Sequence, residues 1–192
     1  MEKSCFKMFY IMIINILLIL KKTDSLNIEG YYWREYAGKV PSDALAGGID
    51  YNGNPIFMGQ IFQNGKITPA KIYPDDNKAY YGYGKEHSGT ENIKILCSQH
   101  PERFVWIKTK HDEIHLLTKH HIVLSGYHPG KTMYFGRVMY GRETSVGKVG
   151  AGINENRGLY ITQNGEEINF HLFEILTYNE TITTQHIDVR AN

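Results

Sequence analysis

Cysteine is nearly absent from this chain, with two in 192 residues. Cys5 lies in an apolar N-terminal stretch, so removal of that stretch would leave only Cys97 and no internal disulfide. A chain of this length can bury a core without such staples. Charge of one sign is lacking too. Lys and Arg number 21 against 20 Asp and Glu, for a net charge of +1. That balance argues against the clustered basic face that nucleic acid requires, so no nucleic-acid partner is expected. Long amphipathic helical patterns are missing, and only 42–45 and 111–121 could hold a helical turn. Signatures of catalysis are missing as well. No Gly-x-Ser-x-Gly occurs, and no nucleophile stands at readable spacing from a base. Gly126 to Thr132 falls one residue short of a phosphate-binding loop and leads into a strand, which removes the helix N-terminus such a loop needs. The expectation is a non-enzyme with no cofactor.

What is present is Gly (19) and Tyr (14), residues of tight turns and strands. Prolines at 41, 55, 69, 74, 101 and 129 are expected at strand starts or turns. Near the start, Lys3 and Lys7 precede Met8 to Leu20, apolar but for Asn15. Such a run suits a signal peptide and is short for a membrane span. Cleavage near Ser25 would give a secreted protein. Lys21-Lys22, between the run and the cut, supports an uncleaved anchor instead, the chain's one route to a membrane. An Asn179-Glu180-Thr181 glycosylation triplet accords with secretion.

The informative feature is self-similarity. Gly48-Ile49-Asp50-Tyr51-Asn52-Gly53-Asn54-Pro55-Ile56-Phe57-Met58-Gly59 is echoed by Gly126-Tyr127-His128-Pro129-Gly130-Lys131-Thr132-Met133-Tyr134-Phe135-Gly136. Gly59 to Lys71 spans twelve residues, as does Gly136 to Lys148. Each copy carries a hairpin. Asn64-Gly65 marks the first, because a type I′ turn needs positive φ at both central positions. Gly141-Arg142-Glu143 marks the second, and Asn164-Gly165 closes a further strand. Trp33 opens one copy and Trp106 the other. The division is 1–25 for the targeting segment, 31–101 and 104–178 for the two copies, and 181–192 for a polar tail.

Laid out this way, the chain resembles the DM9 repeat family of invertebrates. The marks are Trp33, Val40-Pro41-Ser42-Asp43-Ala44, Gly47-Gly48-Ile49-Asp50, Ile56-Phe57-Met58-Gly59, Lys71 and Gly84-Lys85-Glu86-His87. The second copy keeps Trp106, Tyr134-Phe135-Gly136-Arg137-Val138, Gly147-Lys148-Val149 and Phe173-Glu174-Ile175-Leu176. The resemblance implies an all-β fold, two tandem modules of antiparallel sheet packed about a pseudo-two-fold axis. The family includes a mannose-binding lectin of molluscan innate immunity and the DM9 region of natterin-like proteins. In the lectin an Asp and a Lys hold the sugar, which by motif fall here on Asp50 and Lys71, with Glu86 as a supporting residue. The second copy keeps Lys148, but His128, or Tyr127 under a one-residue shift, stands where the Asp is expected, and Gly165-Glu166-Glu167-Ile168 replaces Gly-Lys-Glu-His.

The chemistry suits a neutral sugar. A carboxylate accepts from two adjacent hydroxyls, an ammonium donates to the same pair, and Tyr80, Tyr81 or Tyr83 could supply an aromatic face. The competing readings are an Asp50 that caps its own turn and a Lys71 that is an ordinary strand residue. His111, His115, His120 and His121 raise a metal site, but Glu113 is not placed as in His-Glu-x-x-His and the segment reads as a loop, so no metal is expected. The function expected is a secreted, lectin-like protein for mannose-type glycans, with a homodimer to supply multivalency. The alternative is a non-catalytic protein-interaction module that has lost the sugar.

Overall fold

The computed structural model describes residues 30–151 and 158–179. The targeting segment with its cut site, Glu180-Thr181 of the glycosylation triplet and the polar tail lie outside the described residues. Within them the architecture is all-β and antiparallel. The first copy supplies β1 (Tyr32–Glu35), β2 (Ala46–Ile49), β3 (Pro55–Gln63), β4 (Lys66–Ile72), β5 (Ala79–Gly82), β6 (Glu86–Gly89) and β7 (Ile93–Cys97). The second supplies β8 (Phe104–Lys110), β9 (His121–Ile122), β10 (Leu124–His128), β11 (Lys131–Tyr140), β12 (Glu143–Ala151), β13 (Leu159–Gln163), β14 (Glu166–Phe170) and β15 (Leu172–Tyr178).

The turns form where the sequence predicts them. Asn64 and Gly65 have φ of 51° and 72°, and Asn164 and Gly165 have 54° and 86°. Their positive φ matches the right-handed twist of the flanking strands, which types I and II would splay. Helix is confined, among the described residues, to single turns at Pro101–Arg103 and Ile114–Leu116. The second lies in the expected 111–121 segment. No helical turn forms at 42–45, where Ala44 instead bridges Cys97. Pro69 departs from expectation, because it lies inside β4, opposite Gln60. The far edge of β4 meets β10 at Ile67 and β5 at Lys71. Pro69 falls between those partners, where a missing N–H costs no ladder bond.

The two copies pair their strands in one pattern. Trp33 stands opposite Leu96 and Trp106 opposite Leu176. Gly59 pairs with Ile95 and Gly136 with Ile175. Lys71 pairs with Tyr80 and Lys148 with Tyr160. The copies also interlock, because Ile49 of β2 pairs with Thr144 of β12 while Tyr127 of β10 pairs with Ile67 of β4. These crossings need glycine. A Cβ at Gly48 would lie 2.0 Å from the Thr144 carbonyl oxygen, and one at Gly126 2.3 Å from that of Ile67.

Three apolar clusters hold the sheet. One belongs to the first copy (Ile61, Ile72, Ile95, Cys97) and one to the second (Val149, Leu159, Ile161, Ile175). The third joins them, with Ile56, Met58 and Leu96 packed against Phe135, Val146 and Leu176. Each such side chain contributes about 1.5–3 kcal/mol by leaving water, so the copies share a core and not merely an edge. Burial also pushes the Cys97 thiol up to about 11, which leaves it a neutral apolar filler.

Candidate functional site

The two lysines at matching positions both cross from one copy to the other. Lys71, on β4, is 2% exposed. Its Nζ donates to the Thr162 carbonyl at 2.5 Å and lies 3.4 Å from Glu143 Oε1, itself buried. Lys148, on β12, donates to the Gly82 carbonyl at 2.6 Å and lies 2.7 Å from Glu167 Oε1. Thr162 and Gly82 occupy equivalent places, two residues beyond the tyrosines that pair with the lysines. The glutamates mirror one another in the same way. Glu167 Oε2 accepts the Gly84 N–H at 2.8 Å, and Glu86 Oε2 accepts the Gly165 N–H at 3.2 Å. Each copy's hairpin turn is thus held by the other copy's carboxylate.

Asp50 sits at the end of β2 and serves its own turn. Oδ1 accepts the Asn52 and Asn54 N–H groups, each at 2.8 Å, and Oδ2 accepts Asn54 Nδ2 at 3.1 Å. Desolvation pushes its carboxyl up, but the hydrogen bonds from Asn54, Asn52 and Gly53 outweigh that and hold it below the usual range. Of the residues expected in a first-copy grip, Asp50 is therefore occupied as a turn cap and Lys71 as a buried cross-copy clamp. They share a neighbourhood around Tyr73, whose ring centroid lies 5.3 Å from Lys71 Nζ. Burial raises the Tyr73 hydroxyl, and the charges of Glu143, Glu86 and Asp50 raise it further.

The equivalent place in the second copy is open. A cavity of about 440 Å³ is lined by Tyr83, His128, Lys131, Lys148, Tyr160 and Glu167, among others. That volume is in the range of small-ligand sites. His128 occupies the register position of Asp50, since it pairs with Lys131 across the turn as Asp50 meets Asn54. Its Nε2 is 2.9 Å from Thr68 Oγ1. Burial lowers the imidazole to about 4, helped by Lys148, Lys66 and Lys131, so it is neutral at physiological pH. Lys148 Nζ lies 5.4 Å from the Tyr160 ring centroid and 6.0 Å from that of Tyr83. Tyr83 is 56% exposed, and its hydroxyl accepts from Lys66 Nζ at 2.9 Å. That bond, with the lysine charges behind it, lowers the phenol. Of the tyrosines proposed as an aromatic face, Tyr81 is buried and donates to Gln63, and Tyr80 donates to Asp76.

Lys66, Thr68, Lys131, Glu143, Tyr160 and Glu167 were not expected in the site. The twelve-residue spacing that aligns Lys71 with Lys148 also aligns Lys66 with Glu143, so the signal for that pair was present in the sequence. Among the described residues no three His, Cys, Asp or Glu side chains gather as a metal would require. A larger groove, about 630 Å³, is lined by Ile49, Met139 and Leu172 beside the Arg137–Glu174 ion pair.

The family model described as DM9 repeat matches residues 17–88 and 50–152. Among solved structures, the nematode sperm cell motility protein MFP2B is similar with a TM-score of 0.50 at 9% identity, over 77% of this chain and 44% of that one. The chain thus spans less than half of that protein's length, and at this identity the likeness concerns fold alone. No curated protein matches this sequence.

Proposed function

We propose that this chain, which belongs to the DM9 repeat family, is a non-catalytic carbohydrate-binding protein whose sugar site is the cavity at Lys148 and His128. The observation that carries the reading is a cavity of about 440 Å³ with an ammonium, a neutral imidazole and an exposed phenol ring converging on it. Saccharide recognition uses these groups: Lys148 as donor to a hydroxyl pair, His128 as a neutral polar contact, and Tyr83 as the apolar face. Glu167 holds Lys148 in place. The first-copy residues are less available, because the Asp50 oxygens cap their own turn and the Lys71 side chain is 2% exposed against 13% for Lys148. Mannose-type glycans are the class the family resemblance favours, and a secreted homodimer would raise weak single-site affinity by multivalency.

The test is calorimetric titration of the chain with mannose and a branched mannose oligosaccharide, repeated on Tyr83→Ala and Lys148→Gln. Thermal melts of both variants control for folding. The proposal expects binding in the parent, weakening in Tyr83→Ala and loss in Lys148→Gln. Unchanged binding in both folded variants would refute the site.

A second reading is favoured by the larger groove. Ile49, Met139 and Leu172 are 53%, 66% and 65% exposed. Apolar side chains grouped in this way suit a protein partner. If the chain binds no sugar, Met139→Glu should abolish capture of whatever partner is found.

A further inference from the structure

Two faces of the sheet follow one plan, with acid and base exchanged. On the first, Glu35, Lys94 and Gln60 stand side by side across β1, β7 and β3. On the second, Lys108, Glu174 and Arg137 stand side by side across β8, β15 and β11. Counted from Trp33 and Trp106, Glu35 and Lys108 are equivalent. Counted from the pairs Gly59–Ile95 and Gly136–Ile175, so are Lys94 and Glu174, and Gln60 and Arg137. Each row is joined within itself: Lys94 Nζ lies 3.3 Å from Glu35 Oε1, and Arg137 Nε lies 2.6 Å from Glu174 Oε2. Two residues further along, both faces turn apolar. Phe62, Ile67 and Tyr127 form that row on the first face, and Met139, Thr144 and Ile49 on the second. Phe62 and Tyr127 are exposed on one, and Met139 and Ile49 on the other. The interlock builds both rows, because Tyr127 and Ile49 each come from the opposite copy. A hollow of about 340 Å³ lies over Glu35, Lys94, Phe62 and Ile67, and one of about 630 Å³ over Lys108, Glu174, Met139 and Ile49.

We propose that the first face of one molecule docks on the second face of another, so that the chain associates head to tail through unlike faces. This commits the larger groove to a second copy of the chain and is independent of sugar binding. Exposed apolar side chains on the two faces leave water together, which drives association. The charged rows decide which faces meet. Unlike faces set acid against base where equivalent positions approach, Glu35 against Lys108 and Lys94 against Glu174. Like faces set acid on acid and base on base there, and such juxtaposition selects against a partner. A contact between unlike surfaces leaves one face of each kind free, so it closes into a ring or extends as a chain.

The experiment is sedimentation velocity of the full chain over a series of concentrations, with thermal melts of every variant as the control for folding. Mass should rise above that of the monomer as concentration increases. Phe62→Glu blocks the first face and Met139→Glu the second, so each variant alone should stay monomeric. An equal mixture of the two retains one intact face of each kind and should form a one-to-one dimer and nothing larger. Glu35→Lys and Lys108→Glu should each weaken association about tenfold or more, and the two together in one chain should recover it. A parent that stays monomeric throughout overturns the inference and leaves the groove to a different protein. A mixture that stays monomeric while one blocked variant still dimerises shows like faces meeting, and also overturns it. So does association untouched by both Phe62→Glu and Met139→Glu, which places the contact on another surface.

Discussion

Replacing Lys71 by Met should destabilise the protein far more than a surface lysine would. Side chains of Lys71 and Glu143 are 2% and 5% exposed, with 3.4 Å between Nζ and Oε1. At that separation and an effective dielectric near 20 the attraction is about 5 kcal/mol, offset by the cost of taking both ions out of water. Truncating one partner removes the attraction and keeps the other's desolvation, which costs about 3–5 kcal/mol. The Thr162 carbonyl also loses its donor. Against a typical total stability of about 5–15 kcal/mol, this is roughly a fifth or more of the fold. Urea unfolding followed through Trp33 and Trp106 reads the loss as a lowered midpoint. Lys71→Met with Glu143→Leu should recover most of it, because an apolar pair of similar volume is often neutral. A Lys71→Met midpoint within about 1 kcal/mol of the parent would refute the reasoning. So would a double variant as unstable as the single.

Further expectations follow from the same contacts. His128 is held neutral in the folded chain, at about 4 against an ordinary 6.5. The unfolded chain therefore binds the extra proton first. Stability should fall as pH drops from about 6.5 to about 4, by at most about 3 kcal/mol, and His128→Gln should flatten that part of the urea-midpoint profile. Parallel profiles would count against it. Gly48→Ala and Gly126→Ala each drive a Cβ into a carbonyl of the other copy. Both should lower the urea midpoint by about 1–3 kcal/mol, and a neutral result at either would question the interlock. Asp50→Ala should lower the urea midpoint slightly through its turn, whose Asn52 and Asn54 N–H groups it accepts, and leave sugar binding unchanged in the same calorimetric titration.

Much of the fold was legible because turn chemistry and repeat spacing are local facts. Asn64-Gly65 and Asn164-Gly165 announce their turns, and the spacing from Gly59 to Lys71 reappears from Gly136 to Lys148. The interlock was not legible. Pairing of Ile49 with Thr144, or Tyr127 with Ile67, leaves no mark within either strand, since any extended segment can offer the same backbone groups. Lys71 shows the limit most clearly. A lysine on a strand suggests the solvent face, but β4 is buried from Thr68 through Ile72. Buried on both faces, that strand has no alternation to reveal which side chain turns outward. Glu143, its partner, lies in a hairpin turn as read from sequence and in a strand in the structure. Family motif directed attention to Asp50, while the open cavity lies at the position where His128 departs from that motif. A motif marks where a backbone is conserved in shape; exposure and charge at that place depend on neighbours from the other copy.

The most direct test of the account is a mannose titration followed by backbone NMR on the unmutated chain, because it needs no variant that could unfold. The account predicts that shifts concentrate at Tyr83, Gly84, His128, Lys148 and Gly150, with Asp50 to Asn54 unmoved. Shifts centred on Asp50 to Asn54, or none at saturating sugar, would contradict it.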